Sequence, residues 1–215
     1  GGVNVGGDTW EIETKITSSG AALRKSQHVE KREKLTRKKR WELQNEDESY
    51  DKKSLDRSVV NPDQIRTVIR EFRNRLPDMF PGRKEVPKTL IFAKTDSHAT
   101  DIIDTVREEF SEGNDFCKKI TYKTDDGDPD SLLSRFRNDF FPRIAVTVDM
   151  IATGTDVKPL ECLVFMRDVR SANYFEQMKG RGTRTYDEEK LKSVTPSAKS
   201  GKTHYVIVDA VGVTR

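Results

Sequence analysis

The sequence predicts an α/β fold: a parallel sheet with helices on both faces, preceded by a strand-rich basic extension. Three observations carry this. From Val86 onward, short apolar runs alternate with longer segments whose apolar residues recur every three or four positions. The short runs are apolar at consecutive positions, as strands buried on both faces must be. Residues 1–60, in contrast, have few apolar runs and a dense block of charge. The chain therefore divides into an extension or linker over 1–60 and a folded unit over 61–215.

In chain order, Trp10, Ile12, Thr14 and Ile16 alternate as in a strand, and Ser18-Ser19-Gly20 makes a turn. A weaker strand is expected near His28–Lys34, and Thr36–Lys53 carries no periodicity. Asn61-Pro62 opens a helix, Asn61 as cap and Pro62 at the first helical position. Ile65, Val68, Ile69, Phe72 and Leu76 share one face of it, and Pro81-Gly82 ends that segment. Thr89–Ala93 is a strand. Ala99, Ile102, Ile103, Val106 and Phe110 form a helical stripe ended by Gly113. Ile120 lies in a short strand, and Leu132, Leu133, Phe136 and Phe140 form another stripe. Ile144–Val148 and Cys162–Met166 are strands, Ser171 caps a helix carrying Tyr174, Phe175 and Met178, and Tyr205–Val208 is the last strand. In such a sheet a ligand sits beyond the carboxyl ends of the strands. That directs attention to Lys94–His98, Asp149–Asp156, Arg167–Arg170 and Asp209 onward.

Composition narrows the function. The 215 residues are 35% charged and 33% hydrophobic, and no apolar run approaches the roughly 20 residues of a membrane helix. No signal peptide is visible. Cys117 and Cys162 sit in apolar stretches and read as reduced core thiols of a cytoplasmic protein. His28, His98 and His204 are scattered, without the paired spacing of a zinc site. With Gly1 in place of methionine and no tapering tail, the sequence is expected to be a piece of something larger. The net charge is only +3, yet Arg24–Arg40 holds nine Lys/Arg, followed by the acidic Glu42, Glu46, Asp47 and Glu48. This block is either a solvated, self-complementary segment or a phosphate-contacting arm that gains from counterion release.

Two stretches could carry chemistry. In Gln177-Met-Lys-Gly180-Arg181-Gly182-Thr183-Arg184 two arginines stand three apart among glycines. Arginine presents a fixed fork of donors that matches phosphate oxygens, and glycine lets a polyphosphate approach the backbone. The plain alternative is a helix end with solvated arginines. In Thr147-Val148-Asp149 to Gly154-Thr155-Asp156 a strand end runs into a loop with a glycine and two carboxylates. Such a loop binds a ribose hydroxyl or a charged partner, or is simply a capped turn.

Taken together these stretches resemble superfamily 2 helicases. Gln177-x-x-Gly180-Arg181-x-x-Arg184 looks like their motif VI. The 147–156 stretch resembles motif V, and Thr89–Ala93 running into Lys94-Thr-Asp-Ser97-His98 resembles motif IV, in the family's order. The wording of Val86–Ala99, Asn114–Tyr122, Ile144–Pro159 and Phe165–Arg184 is similar to the motor (R, HsdR) subunits of type I restriction enzymes, as are Gly2–Gly6 and Asp63–Arg75. The resemblance thins at 36–58 and 185–203.

The resemblance implies a second RecA-like lobe of a DNA translocase, with 1–60 as extension or interlobe linker. It implies that Arg181 and Arg184 reach across a cleft to the γ-phosphate of ATP held by a first lobe. A trans arginine of that kind is worth about 10³–10⁵ in rate. Gln177 would lie near the nucleotide or the attacking water. Gly154, Asp156 and Gly180 would line the nucleotide, and Lys94, Ser97 and Thr147 would meet the DNA backbone. One departure is visible: many members have Thr directly before the aspartate that matches Asp149, whereas here Val148 stands there and Thr147 lies on the opposite strand face. Implied cofactors are ATP and Mg2+, held mainly by the first lobe. Implied partners are duplex DNA, that lobe, and the methyltransferase and specificity subunits, with no membrane.

Ser200-Gly201-Lys202-Thr203 imitates a Walker A tail. However, position 196 is Pro where the motif needs Gly, and a strand follows where a helix should. No Walker A loop, Asp-Glu-x-x box or nuclease core is present. The piece alone is therefore expected to be inactive. The competing expectation is a subunit-docking module whose basic arm and 62–76 helix serve assembly.

Overall fold

The computed structural model describes residues 6–13, 22–26, 61–121, 127–148, 157–167, 187–199 and 204–210. They form one seven-stranded sheet. Its strands are β1 (Gly6–Glu13), β2 (Ala22–Ser26), β3 (Thr89–Phe92), β4 (Cys117–Lys119), β5 (Ile144–Thr147), β6 (Cys162–Phe165) and β7 (His204–Asp209), in the spatial order β2-β1-β7-β6-β3-β5-β4. Every neighbouring pair is parallel except β1 and β2, which close one edge as an antiparallel pair. The α/β expectation is met. The strand expected from Trp10 onward begins earlier, at Gly6, because pairing with β7 outweighs the poor strand propensity of Gly6 and Gly7. The following strand is Ala22–Ser26, whereas His28–Lys34 lie outside the described residues.

Helix α1 (Pro62–Met79) starts as its sequence dictates: the Asn61 side chain accepts the Asp63 N–H at 2.9 Å, and Pro62 needs no partner for a missing donor. Ile65, Val68, Ile69 and Phe72 are fully buried, and Leu76 packs at the margin of the core. Helix α2 (Asp96–Phe110) buries Ala99, Ile102, Ile103 and Val106 against the same sheet face. It stops at Ser111, which takes the left-handed conformation (φ 52°), two residues before the expected Gly113. Gly113 (φ 87°) instead opens the short turn Asn114–Phe116 that leads into β4. Ile120, expected within that strand, lies just past it, yet its N–H still donates to the Val146 carbonyl at 2.9 Å.

Helix α3 (Pro129–Asn138), capped by Asp128 through the Ser131 N–H, buries Leu132, Leu133 and Phe136 on the opposite face. Phe140 does not complete that stripe: Asp139 is already extended as the chain turns toward β5, and Phe140 is exposed. A two-turn α4 (Glu188–Val194), capped by Asp187, precedes β7.

The alternation of each strand sorts the core into two layers. Ile91, Val146, Val164 and Val208 face α1 and α2, whereas Phe92, Ala145, Phe165 and Ile207 face α3. Phe92 and Phe165 stack at 5.0 Å between centroids. The β3–α2–β4 and β4–α3–β5 connections run in opposite directions, so right-handed crossovers place α2 and α3 on opposite faces.

The amino-terminal edge of the sheet is closed by buried ions. Lys88 Nζ donates to the carbonyls of Asp139 (2.6 Å), Phe140 (3.1 Å) and Pro142 (2.6 Å). Arg143 donates to the carbonyls of Val86 (2.8 Å), Phe140 (3.0 Å) and Val194, and to Thr195 Oγ1 (2.8 Å). Arg83 grips the buried Glu161 carboxylate with two bonds of 2.8 Å. Burial pushes the Lys88 ammonium down to about 7, with the neighbouring Arg143 charge adding to it. On the solvent side, Arg66, Arg70 and Arg73 of α1 surround Glu109 of α2 and tie the two helices together.

Candidate functional site at the carboxyl edge

All six parallel strands end along the opposite edge, where the Lys94–His98 turn follows β3, Val148 follows β5 and Arg167 follows β6. Strand β3 is central there. The chain leaves it toward β5 and β4, then crosses back over it to β6 and β7. Reversals of this kind open a crevice at the carboxyl ends of the strands. Above β3, Arg167 at the end of β6 donates to the Val148 carbonyl at the end of β5, at 2.9 Å. Val148 and Arg167, the last described residues after β5 and β6, are thereby one hydrogen bond apart.

The turn after β3 is built in detail. Thr95 caps α2 by accepting the His98 N–H at 3.1 Å, and its hydroxyl lies 3.2 Å from that of Ser97. The buried His98 ring turns back, and its Nδ1 accepts the Lys94 N–H at 3.0 Å. Asp96 receives Lys119 Nζ at 3.2 Å and the Thr121 hydroxyl at 3.3 Å, which joins this turn to the end of β4.

Of the residues expected to meet a phosphate backbone, Ser97 is exposed, Lys94 is partly exposed, and Thr147 is fully buried. The Thr147 carbonyl accepts the Ala93 N–H at 2.8 Å, which carries the sheet ladder one residue past β3. Gly154, Asp156, Gln177, Gly180, Arg181 and Arg184 lie outside the described residues. So do Asp149, the helix expected from Ser171, the Ser200–Thr203 imitation and most of the basic run over 24–40. Both cysteines are free and buried, and burial raises both thiols, Cys117 to about 12. Among the described residues no cluster of three or more His, Cys, Asp or Glu could hold a metal ion, and no helix is long and apolar enough to cross a membrane.

Sequence reasoning included His98 in the Lys94–His98 stretch without giving it a role, and passed over Lys119 and Thr121. His98 had a signal. Thr95-x-x-His98 has the spacing of a capping box, but the imidazole accepts from the Lys94 N–H, one residue before the Thr95 N–H that a Glu or Gln there would take.

Residues 63–186 match the helicase conserved C-terminal domain family. The chain belongs to that family. Within it, this helicase C-terminal domain is 34% identical over 153 residues to the type I restriction enzyme EcoKI endonuclease subunit of Escherichia coli strain K12, an alignment that covers 66% of this chain and 12% of that subunit. It is 28% identical over 145 residues to the EcoAI endonuclease subunit of Escherichia coli, covering 65% of this chain and 17% of the relative. The domain thus spans less than a fifth of either relative's length. A solved fragment of a protein described as an HsdR subunit of a type I restriction enzyme from Vibrio vulnificus YJ016 superposes with a TM-score of 0.52 at 24% identity, covering 70% of this chain and 28% of that one. The fold is shared with that solved fragment, and the resemblance to type I restriction enzyme subunits stands on the sequence identity.

Proposed function

We propose that this domain is the second motor lobe of an ATP-dependent DNA translocase in a type I restriction endonuclease. The observation that carries the reading is the convergence of the β3, β5 and β6 ends, with Arg167 bonded to the Val148 carbonyl. It supports a crevice from which the motif V and motif VI stretches would emerge side by side.

In this reading Arg181 and Arg184 present their guanidinium forks to the γ-phosphate of ATP held by the first lobe, and Gln177 lies beside them. Gly154, Asp156 and Gly180 keep the facing surface narrow and polar. ATP with Mg2+, held chiefly by the first lobe, supplies the free energy for lobe closure and opening. Lys94 and Ser97 follow the phosphate backbone of duplex DNA without reading bases. Thr147, buried, supports that turn from beneath. Alone, the domain would be inactive, since no Walker A loop or Asp-Glu-x-x box is in its sequence. Its working context would be the cytoplasm, with the first lobe and the methyltransferase and specificity subunits as partners.

The test is DNA-stimulated ATP turnover by the complete subunit. Arg181→Ala is expected to lower turnover by about 10³–10⁵ while ATP binding is kept. Turnover that survives the substitution would remove the arginine-finger assignment.

A further inference from the structure

We infer that His98 is the positioning residue of the phosphate-tracking turn: its Nδ1 holds the Lys94 main chain so that Lys94 and Ser97 meet the DNA backbone in fixed register. The inference rests on the proposed reading of that turn as a DNA contact.

The Lys94 N–H lies just past the end of the β3 ladder, whose last bonds run from the Ala93 N–H to Thr147 (2.8 Å) and from the Met166 N–H to the Phe92 carbonyl (3.0 Å). Beyond that point the main chain turns from the sheet into α2. His98 holds that turn. Its main-chain N–H donates to Thr95 Oγ1 (3.1 Å), and its ring Nδ1 accepts from the Lys94 N–H (3.0 Å). Residues 94–98 are thus closed on themselves by two reciprocal bonds. An accepting Nδ1 carries no proton, so the ring proton sits on Nε2. The ring is itself immobilised, being 1% exposed, and a group fixed by burial fixes what it bonds. Asp96, tied to Lys119 (3.2 Å) and Thr121 (3.3 Å), holds the far side of the same turn. Ser97 is exposed and Lys94 partly exposed on a main chain held at both ends.

The geometry makes a specific demand on chemistry. Asparagine places its Oδ1 where histidine has Nδ1, so it can accept the same N–H. Glutamine carries its amide one bond further out, at the Nε2 position, and from this place in a capping box takes the Thr95 N–H, leaving the Lys94 N–H without its acceptor.

The experiment measures the salt dependence of duplex DNA binding, and the DNA concentration for half-maximal ATPase stimulation, in the complete subunit. Each lost phosphate contact lowers the salt slope by about 1. Lys94→Ala is expected to lower the slope by about 1, and His98→Gln and His98→Ala by a similar amount. His98→Asn is expected to keep the native slope. The double variant Lys94→Ala/His98→Gln should show the same salt slope as Lys94→Ala alone, since Ser97 carries no charge. Half-maximal stimulation should need about tenfold more DNA in His98→Gln, the equivalent of one lost charge-assisted bond, with maximal turnover little changed. Should His98→Ala fail to fold, the Asn and Gln pair still decides. Equal behaviour of those two, or an unchanged slope in His98→Gln beside a lowered one in Lys94→Ala, overturns the positioning role. An unchanged slope in Lys94→Ala overturns the DNA reading of the turn, and this inference with it.

Discussion

Arg143 is the bulkiest fully buried side chain among the described residues, and its guanidinium gathers acceptors from residues 86, 140, 194 and 195. Beside it, Arg83 and Glu161 form an ion pair in which the carboxylate is 1% exposed. Removing one partner of such a pair strands the other charge. Arg83→Ala is therefore expected to cost about 3–5 kcal/mol, read from urea unfolding, and a loss below about 1 kcal/mol, the worth of a surface pair, would contradict this. Lys88 gives the domain a pH dependence. Its folded-state value lies near 7 against an ordinary 10.5, so below 7 both states hold the proton and the cost of burying it is fully present. Between the two values the unfolded chain binds more protons, and stability rises with pH. Lys88→Met should show a shallower rise over pH 7–10 than the native protein, and parallel curves would exclude the lysine as its source. None of these partners was legible in the sequence. Arg83 and Glu161 are 78 positions apart, and the three carbonyls on Lys88 have no side-chain identity to read.

The helices and central strands were legible because each buries a face whose period the sequence displays. Ile65, Val68, Ile69 and Phe72 of α1 are fully buried, and Asn61 caps as its neighbour Pro62 implied. Ends read less well. Phe140 continued the α3 spacing, but the chain became extended at Asp139. Gly113 looked like the stop for α2, yet Ser111 took the left-handed position at φ 52°, ψ 37°. That residue yields a prediction at this scale. Serine is strained there and glycine is not, so Ser111→Gly should stabilise the domain by up to about 1 kcal/mol, less the weak Ser111 Oγ bond to the Glu108 carbonyl. Thermal unfolding checks it, and a lower midpoint would show that the hydroxyl bond outweighs the backbone strain. Helix α4, with only Leu191 and Val194 buried, is too short to display a stripe. Strand β1 was placed late because its glycines carry no strand signal and only pairing with β7 reveals them.

At the scale of the whole molecule, the strand order was not legible, since apolar runs say that strands are central but not who neighbours whom. The edge at which to look for a site was legible, because a parallel sheet directs the search to the carboxyl ends of its strands. The account of the site turns on a nucleotide shared between this lobe and another. The most direct measurement is a structure of the complete subunit with a γ-phosphate mimic bound to its first lobe. The account predicts the Arg181 and Arg184 guanidinium groups within hydrogen-bond reach of that mimic, facing the loop that bears Gly154 and Asp156. Finding both arginines turned away from that loop, with the mimic enclosed by the first lobe alone, would contradict it.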